Sequence, residues 1–229
     1  MKKVVKFGGS SLASAEQFEK VGKIIRADES RRYVVPSAPG KRFSEDTKVT
    51  DLLYACYGAV KEEEKFQVIL KEIKSRYQEI IDGLQISLSL EKDFEDVEEN
   101  FKNQIGKEYA ASRGEYLNGK IMAAYLGYEF VDPAEIIRFD GNGQFDAGIT
   151  ELLVAKKLNA IERAVVPGFY GAKENGEIKT FSRGGSDITG SILAGALDVD
   201  LYENWTDVSG VMVTDPRIIQ NPKSIDTIT

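Results

Sequence analysis

A lysine and a glycine turn lie together near the start of the chain. Lys6 stands near the end of a short β-rich run, and Gly8-Gly9-Ser10-Ser11 begins two residues later. Burying a lysine ammonium is costly unless an anion meets it, and glycines let backbone N–H groups approach phosphate oxygens. The segment therefore predicts a phosphate site, in which Lys6 neutralises charge on a phosphoryl group. The alternative is an ordinary turn, since Gly and Ser are common turn residues.

A second glycine-rich segment, Ser182-Arg183-Gly184-Gly185-Ser186-Asp187, directly precedes a predicted helix. The guanidinium of Arg183 offers a fork of donors that suits a carboxylate or a phosphate. Asp187 could hold Lys6 in place. The alternative is that Ser186 or Asp187 only caps the helix, but capping does not explain an arginine followed by two glycines.

Two further segments could bind a ligand. Ser112-Arg113-Gly114-Glu115 has the Ser-x-x-Glu spacing of a capping box, but Glu115 turned towards a ligand would suit an ammonium group. Trp205-Thr206-Asp207 and Thr214-Asp215-Pro216-Arg217 follow a predicted strand. Their hydroxyls, carboxylates and arginine suit ribose and phosphates, although the second segment could equally be a simple turn.

Alternating strands and helices are predicted to position these segments. Val4–Phe7 reads as a strand, Ser14 to Gln17 as a capping box that opens a helix, and Tyr33–Val35 as the next strand. The alternation resumes after the middle of the chain, with strands near 128–131, 136–139, 164–166 and 201–205, helices at 115–126, 152–158 and 188–197, and a hairpin turn at 173–177. This order predicts an α/β fold with a mostly parallel central sheet.

The middle of the chain has a different pattern. No convincing strand occurs between about Thr50 and Tyr109, and apolar residues recur at spacings of three and four from Phe66 to Leu84. A second helical pattern runs from Phe94 to Ile105. We therefore predict a helical hairpin insertion at about residues 60–108, in which the many Glu and Lys residues form solvated faces.

Composition excludes several classes of function. The 229 residues include 37 acidic and 30 basic side chains, a net charge of −7, which argues against a nucleic acid or an anionic membrane as the main partner. With one cysteine, Cys56, and no histidine, the chain cannot form a disulfide framework, a zinc hydrolase centre or a Ser-His-Asp triad. No apolar stretch is long enough to span a bilayer, and we expect a cytoplasmic protein.

Taken together, six motifs resemble those of the aspartate kinases in order and approximate spacing. They are KFGGSS at Lys6–Ser11, VTDLL at Val49–Leu53, RGE at Arg113–Glu115, PGFYG at Pro167–Gly171, SRGGSD at Ser182–Asp187, and WTDVSG with TDPR between Trp205 and Arg217. The resemblance implies the amino-acid-kinase fold, a three-layer α/β/α sandwich. It also implies transfer of the ATP γ-phosphoryl group to the β-carboxylate of L-aspartate with Mg²⁺.

The resemblance also implies roles for individual residues. The catalytic pair would be Lys6 and Asp187, with Asp187 organising the lysine. The nucleotide phosphates and the rest of the nucleotide would contact Lys6, Gly8, Gly9, Ser10, Thr206, Asp207, Asp215 and Arg217. Aspartate would be held by Thr50, Glu115, Arg183 and Ser186, with Glu115 facing its α-ammonium and Arg183 its α-carboxylate. No protein metal ligand is implied, because Mg²⁺ would be held mainly through the nucleotide phosphates.

On this basis we expect residues 1–229 to form a catalytic domain that is incomplete at its C-terminal end and carries no regulatory domain of the ACT type. The reaction would open the synthesis of lysine, threonine and methionine, and the full-length protein would be a homo-oligomer. The absence of histidine fits this chemistry, since a carboxylate acceptor is already ionised and requires no general base. The alternatives are a kinase for glutamate, N-acetylglutamate or a carbamate, and a non-catalytic nucleotide- or amino-acid-binding module.

Overall fold

The structure is a computed structural model that describes residues 1–182, 184–206, 210 and 218–219. The strands of the described residues are β1 Lys3–Phe7, β2 Arg31–Pro36, β3 Glu129–Phe130, β4 Arg138–Phe139, β5 Ala164–Val165, β6 Tyr170–Lys173, β7 Ile178–Thr180 and β8 Leu201–Trp205. The α-helices are α1 Ala15–Arg26, α2 Val49–Gly58, α3 Glu63–Leu84, α4 Glu91–Lys102, α5 Lys107–Leu126, α6 Pro133–Ile136, α7 Ala147–Leu158 and α8 Gly185–Ala196. A short 3-10 helix covers Gly9–Leu12.

The main sheet has five strands in the order β3-β5-β2-β1-β8, and every neighbouring pair is parallel. Parallel neighbours need crossover connections, which the helices between them supply. A smaller sheet has the order β4-β6-β7, in which β6 and β7 are antiparallel. The predicted parallel sheet and the predicted hairpin at 173–177 are thus both confirmed.

Helices cover both faces of the main sheet. Along β1, Val5 and Phe7 belong to one buried cluster with α1, α2, α3 and α5, whereas Val4 belongs to the other cluster with α7 and α8. This division follows from the alternation of side chains along a strand, and it gives the expected three-layer α/β/α arrangement. Lys6 comes two residues after Val4, so its side chain lies on the α8 side of the sheet.

The helical hairpin of α3 and α4 packs into the larger cluster. The apolar stripe predicted for α3 is buried from Phe66 to Leu84, and Phe94, Val97 and Phe101 of α4 are buried beside it. Ile105, which was predicted to continue the second helix, lies beyond its last residue and is exposed. The hairpin thus completes the core on this side of the sheet, while its status as an insertion at about 60–108 stays a prediction.

Two predicted boundaries were wrong because side-chain caps start helices earlier in the chain. The strand predicted at 136–139 begins only at Arg138, since Asp132 accepts the Ala134 N–H at 2.9 Å and Pro133 starts the short helix α6. The helix predicted from Leu152 begins at Ala147, where Asp146 accepts the Ile149 N–H at 3.0 Å. Within the described residues, no helix is both long and apolar enough to cross a membrane.

Candidate active site

Lys6 is a buried cation with a carboxylate partner. It is 7% exposed, and its Nζ lies 2.7 Å from Oδ1 of Asp187 in the first turn of α8. The side-chain amide of Asn204 donates to the same oxygen at 3.1 Å, from the position on β8 that pairs with Lys6. The first two glycine-rich segments therefore meet in space, and α8 provides the charge that a buried lysine requires.

The turn after β1 packs directly on the turn after β2. The Gly9 carbonyl accepts the backbone N–H of Gly40 at 2.8 Å. A Cβ added to Gly9 would lie 2.7 Å from the Ala38 carbonyl oxygen, and one added to Gly40 would lie 2.7 Å from the Gly9 carbonyl carbon. Glycine is required at both positions because the two main chains are in contact.

The glycine turn also lies beside the lysine ammonium. A Cβ added to Gly8 would come within 3.7 Å of Lys6 Nζ, and the Gly8 N–H donates to the carbonyl of Trp205 at 3.2 Å. Ser10 is exposed in the 3-10 helix that follows. Thr206, which comes directly after β8, is also exposed. The carboxyl ends of β1, β2 and β8 thus form one edge, where ligands collect in open α/β sheets.

Ala38 separates Glu115 from the glycine turn. It is 7% exposed in α5, and the Ala38 N–H donates to its carboxylate. Its Oε2 is buried and has no hydrogen-bond partner in the described part of the chain. Burial raises the pKa of Glu115 to about 8, because desolvation disfavours the charged form. A ligand ammonium would satisfy this oxygen and restore the charge.

The capping-box alternative for Glu115 is wrong. Helix α5 begins at Lys107 with Gly106 as its N-cap, so Ser112 lies inside the helix. The hydroxyl of Ser112 donates to the Tyr109 carbonyl at 2.7 Å, in the previous turn. Gly106 provides no side-chain cap, and for this reason no local sequence signal marked the start of the helix.

Two other residues predicted to hold aspartate, Thr50 and Ser186, pack against neighbouring motifs. Thr50, the second residue of α2, has its Oγ1 3.7 Å from where a Cβ on Gly114 would lie. Ser186 is 8% exposed and precedes Asp187. A Cβ on Gly168 would lie 2.5 Å from Ser186 Oγ, so the PGFYG segment packs closely on the start of α8. The second motif, VTDLL, thus packs on the third, RGE, and the fourth, PGFYG, packs on the fifth, SRGGSD.

Some predicted residues lie outside the described part of the chain. They are Arg183, Asp207, Asp215 and Arg217, and their roles stay predictions. The described residues form no group of three or more His, Cys, Asp and Glu side chains that could hold a metal ion.

Sequence reasoning missed three residues of this region. Asn204 was included only in the strand predicted at 201–205, and Gly40 was not singled out. Asn118, one helical turn after Glu115, is fully buried; its Nδ2 donates to the Ser37 carbonyl at 2.7 Å, and its Oδ1 has no partner among the described residues. One feature of the sequence could have pointed to Asn118: it is a polar residue in a helix that has few exposed positions.

A comparison with known families decides how to interpret this arrangement. The sequence profile of the amino acid kinase family matches residues 1–229. The chain belongs to the amino acid kinase family. Within it, the chain is 41% identical to Aspartokinase 3 of Bacillus subtilis (strain 168), over 99% of this chain and 53% of that protein. It is 28% identical to the lysine-sensitive aspartokinase 3 of Escherichia coli (strain K12), over 98% and 53%.

Solved structures of aspartate kinases share the fold of this amino acid kinase chain. The aspartate kinase of Clostridium acetobutylicum superposes with a TM-score of 0.91 at 52% identity, over 97% of this chain and 51% of that one. E. coli aspartokinase III in complex with aspartate and ADP superposes with a TM-score of 0.83 at 26% identity, over 99% and 54%. The chain thus spans about half the length of these relatives.

Proposed function

We propose that the chain carries the catalytic site of an aspartate kinase, which transfers the ATP γ-phosphoryl group to the β-carboxylate of L-aspartate to give 4-phospho-L-aspartate. One observation carries the proposal. The buried Glu115, with an unpartnered oxygen, is separated by Ala38 from the glycine turn that adjoins the Lys6–Asp187 pair. A site for an ammonium and a site for a phosphoryl group would therefore lie side by side, as an amino acid phosphorylated on its side chain requires.

Four residues would hold the aspartate, three of them on helices α2, α5 and α8. Glu115 on α5 would accept the α-ammonium, and Arg183 would bind the α-carboxylate through its forked donors. Thr50 and Ser186, at the starts of α2 and α8, would provide hydroxyl groups. The identity to aspartokinases favours aspartate over glutamate.

Positioning and charge neutralisation would provide the catalysis. The β-carboxylate is ionised at neutral pH, so no base has to remove a proton before attack. Lys6 would neutralise the charge that develops on the transferred group, and Asp187 would keep the ammonium at the end of β1. The backbone donors of Gly8, Gly9 and Ser10 would contact the phosphates.

The rest of the nucleotide would contact residues that follow β8. Thr206, Asp207, Asp215 and Arg217 offer hydroxyl, carboxylate and guanidinium groups suited to ribose and phosphates. The solved E. coli aspartokinase III complex contains ADP together with aspartate. That precedent supports a nucleotide and an amino acid in neighbouring sites of this chain.

The described residues fit a magnesium ion that arrives with the nucleotide. Asp187 is the carboxylate beside the glycine turn, its side chain is 47% exposed, and no acidic cluster of the described residues could enclose a metal. Mg²⁺ commonly keeps several waters and binds through one or two carboxylates together with substrate phosphates. When bound, it would neutralise phosphate charge.

In this proposal residues 1–229 form one catalytic domain with a helical insertion at about 60–108, and no regulatory domain falls within them. The protein would act in the cytoplasm as a homo-oligomer, at the first step of lysine, threonine and methionine synthesis. Neither nucleic acid nor a membrane would be a partner.

Trapping of the acyl phosphate tests the function. Hydroxylamine converts an acyl phosphate to a hydroxamate, so incubation with Mg-ATP and L-aspartate should yield aspartyl hydroxamate. Glutamate and N-acetylglutamate serve as competing acceptors, and Lys6→Ala serves as the blank. Product from glutamate or N-acetylglutamate but not from aspartate would assign the chain to a related kinase. Nucleotide binding without product from any acceptor would favour a binding module.

A further inference from the structure

A cavity of about 680 Å³ opens between the start of α5 and the β6–β7 turn. Its walls include Lys107, Tyr109 and Arg113 from α5, Asp132 before α6, and residues 175–178 of the hairpin. Among the described residues, none of those proposed above to hold aspartate or nucleotide lines it. A ligand bound there would contact a different set of described residues.

Arg113 is a buried cation with no anionic partner among the described residues. The residue is 6% exposed, and its guanidinium carbon lies 4.3 Å from the ring centre of Tyr116, 4.5 Å from that of Tyr109 and 5.4 Å from that of Tyr170. The Ser112 hydroxyl accepts from Nε at 3.1 Å and from Nη2 at 3.0 Å.

Within the described residues, no carboxylate lies within 4.0 Å of this guanidinium and no acceptor contacts Nη1. The tyrosine rings stabilise the cation partly through their faces. Its remaining N–H groups have no partner in the described part of the chain, and Arg113 lines the cavity.

The N-terminus of α5 adds positive potential to the same cavity. This helix is 20 residues long and lacks a side-chain cap at Gly106, and its first three residues line the cavity. Uncapped N–H groups at the start of a helix, together with the helix dipole, favour an anion. Lys107, an exposed residue of this first turn, contributes a further positive charge.

The acidic side chains of the walls are already engaged elsewhere. Glu108 accepts from Lys179 at 2.6 Å, and Glu177 lies 3.0 Å from the ammonium of Lys173. Asp132 accepts the Tyr170 hydroxyl at 2.9 Å and also caps α6. Lysines thus balance Glu108 and Glu177, whereas the donors to Asp132 are neutral and leave its charge on the wall. Among the described residues, none of these carboxylates forms an ion pair with Arg113.

We propose that this cavity is a binding site for a small oxyanion, a phosphate or a carboxylate. The charged oxygens are bound by the first-turn N–H groups of α5 and by the guanidinium N–H groups of Arg113 that have no acceptor among the described residues. Lys107 lies at the rim. The volume leaves room for a small phosphorylated or carboxylated metabolite beyond the anionic group itself. This site is independent of the proposed kinase reaction, and its test does not require catalysis.

Calorimetric titrations with inorganic phosphate and with succinate test the proposal and distinguish the two kinds of anion. At least one of them should bind at a single site, and Arg113→Met should weaken that binding by about tenfold or more, the loss expected for one charge-assisted contact. Lys107→Met, at an exposed position, should weaken it by a smaller factor. Arg163→Met is the matched control, because Arg163 also lies over a tyrosine ring, that of Tyr128, but outside the cavity.

Lys6→Ala separates this cavity from the glycine turn, which could also bind phosphate. Binding that survives in Lys6→Ala and weakens in Arg113→Met supports the proposal. Binding that is lost in Lys6→Ala and retained in Arg113→Met overturns it, as does the failure of both anions to bind at tens of millimolar. If Arg113→Met does not fold, anion binding by Lys107→Met is compared with anion binding by Lys6→Ala in the same way.

Discussion

Lys6 and Asp187 form an ion pair whose two members differ sharply in exposure. The lysine side chain is 9% exposed and the aspartate side chain 47%, with 2.7 Å between Nζ and Oδ1. The ammonium is thus fixed inside the protein, while its carboxylate partner remains accessible to solvent and ligands. Such a pair can keep the lysine in place while phosphoryl oxygens approach from the open side.

Replacing Lys6 by alanine should reduce kcat by at least about 100-fold, the usual effect of removing a group that stabilises transition-state charge. Nucleotide binding should change little, because the missing charge matters most in the transition state. Kinetics and calorimetry with the nucleotide measure the two effects. Lys20→Ala, on the exposed side of α1, is the control. Equal losses in nucleotide affinity and rate would contradict this role for Lys6.

The buried carboxyl of Glu115 should make the stability of the ligand-free protein depend on pH. Its pKa is raised to about 8, so the folded state keeps a proton that the unfolded chain releases above its ordinary pKa of about 4.3. Stability from this group is complete below that lower value and falls as pH rises towards about 8, by roughly 1.4 kcal/mol per pH unit. Urea denaturation at several pH values between these limits measures the slope.

Glu115→Gln is the matched variant for this slope, since an amide of the same shape does not titrate. Its stability should decline less between about pH 5 and about pH 8 than that of the unaltered chain. Parallel pH profiles for the two proteins would show that Glu115 is already ionised in the empty site.

Aspartate binding should release a proton near pH 7. At that pH Glu115 holds its proton in the empty site, because its pKa is about 8. An ammonium at hydrogen-bond distance favours the ionised form and lowers the pKa. Calorimetry in two buffers of different ionisation enthalpy should therefore give different binding enthalpies. The same enthalpy in both buffers would argue that the α-ammonium binds elsewhere.

Gly40→Ala should damage the glycine turn. The new Cβ would lie 2.7 Å from the Gly9 carbonyl carbon and 2.8 Å from its oxygen, and backbone atoms cannot move aside as a flexible side chain can. We expect a loss of about 1–3 kcal/mol in stability and at least about tenfold in kcat. Thermal melts and steady-state kinetics measure both. Gly58→Ala is the control, because a Cβ there meets nothing within 4 Å; similar behaviour of the two variants would refute the prediction.

Arg76 on α3 should support the turn after β2, and through Gly40 the glycine turn that packs on it. It is 2% exposed and donates to the Gly40 carbonyl at 3.0 Å and to the Thr47 carbonyl at 3.0 Å, and it lies 3.0 Å from a carboxylate oxygen of Asp46. Arg76→Met should cost about 1–3 kcal/mol, since two carbonyls lose a charged donor while Asp46 keeps Arg42 as its partner. It should also lower kcat, because the turn that carries Gly40 loses its support.

A double variant separates these two effects of Arg76. Adding Asp46→Leu to Arg76→Met removes the buried carboxylate that has lost one of its two arginine partners, the other being Arg42, and should recover part of the stability. The kcat should stay low, because the Gly40 carbonyl still lacks its donor. A double variant with normal kcat would restrict Arg76 to a role in stability.

The sequence predicted those parts of the structure that depend on local patterns. The cap at Ser14 is present, with its side chain accepting the Gln17 N–H at 3.4 Å, and the apolar stripe of α3 is buried as expected. The start of α5 was missed because Gly106 provides no capping side chain. The bond from Arg76 to Gly40 joins residues 36 positions apart, and no local pattern could have indicated it. The unpartnered oxygen of Glu115 likewise depends on which segments surround it.

The contact of α3 with the turn after β2 limits how this region can be exchanged between relatives. A shortened chain that joined α2 directly to α5 would keep every residue proposed to touch aspartate or nucleotide. It would nevertheless lose Arg76, and with it the donor to the Gly40 carbonyl. A chimera that takes its helical hairpin from another kinase therefore has to take residues 40–47 from the same parent, so that the two segments are inherited as one unit.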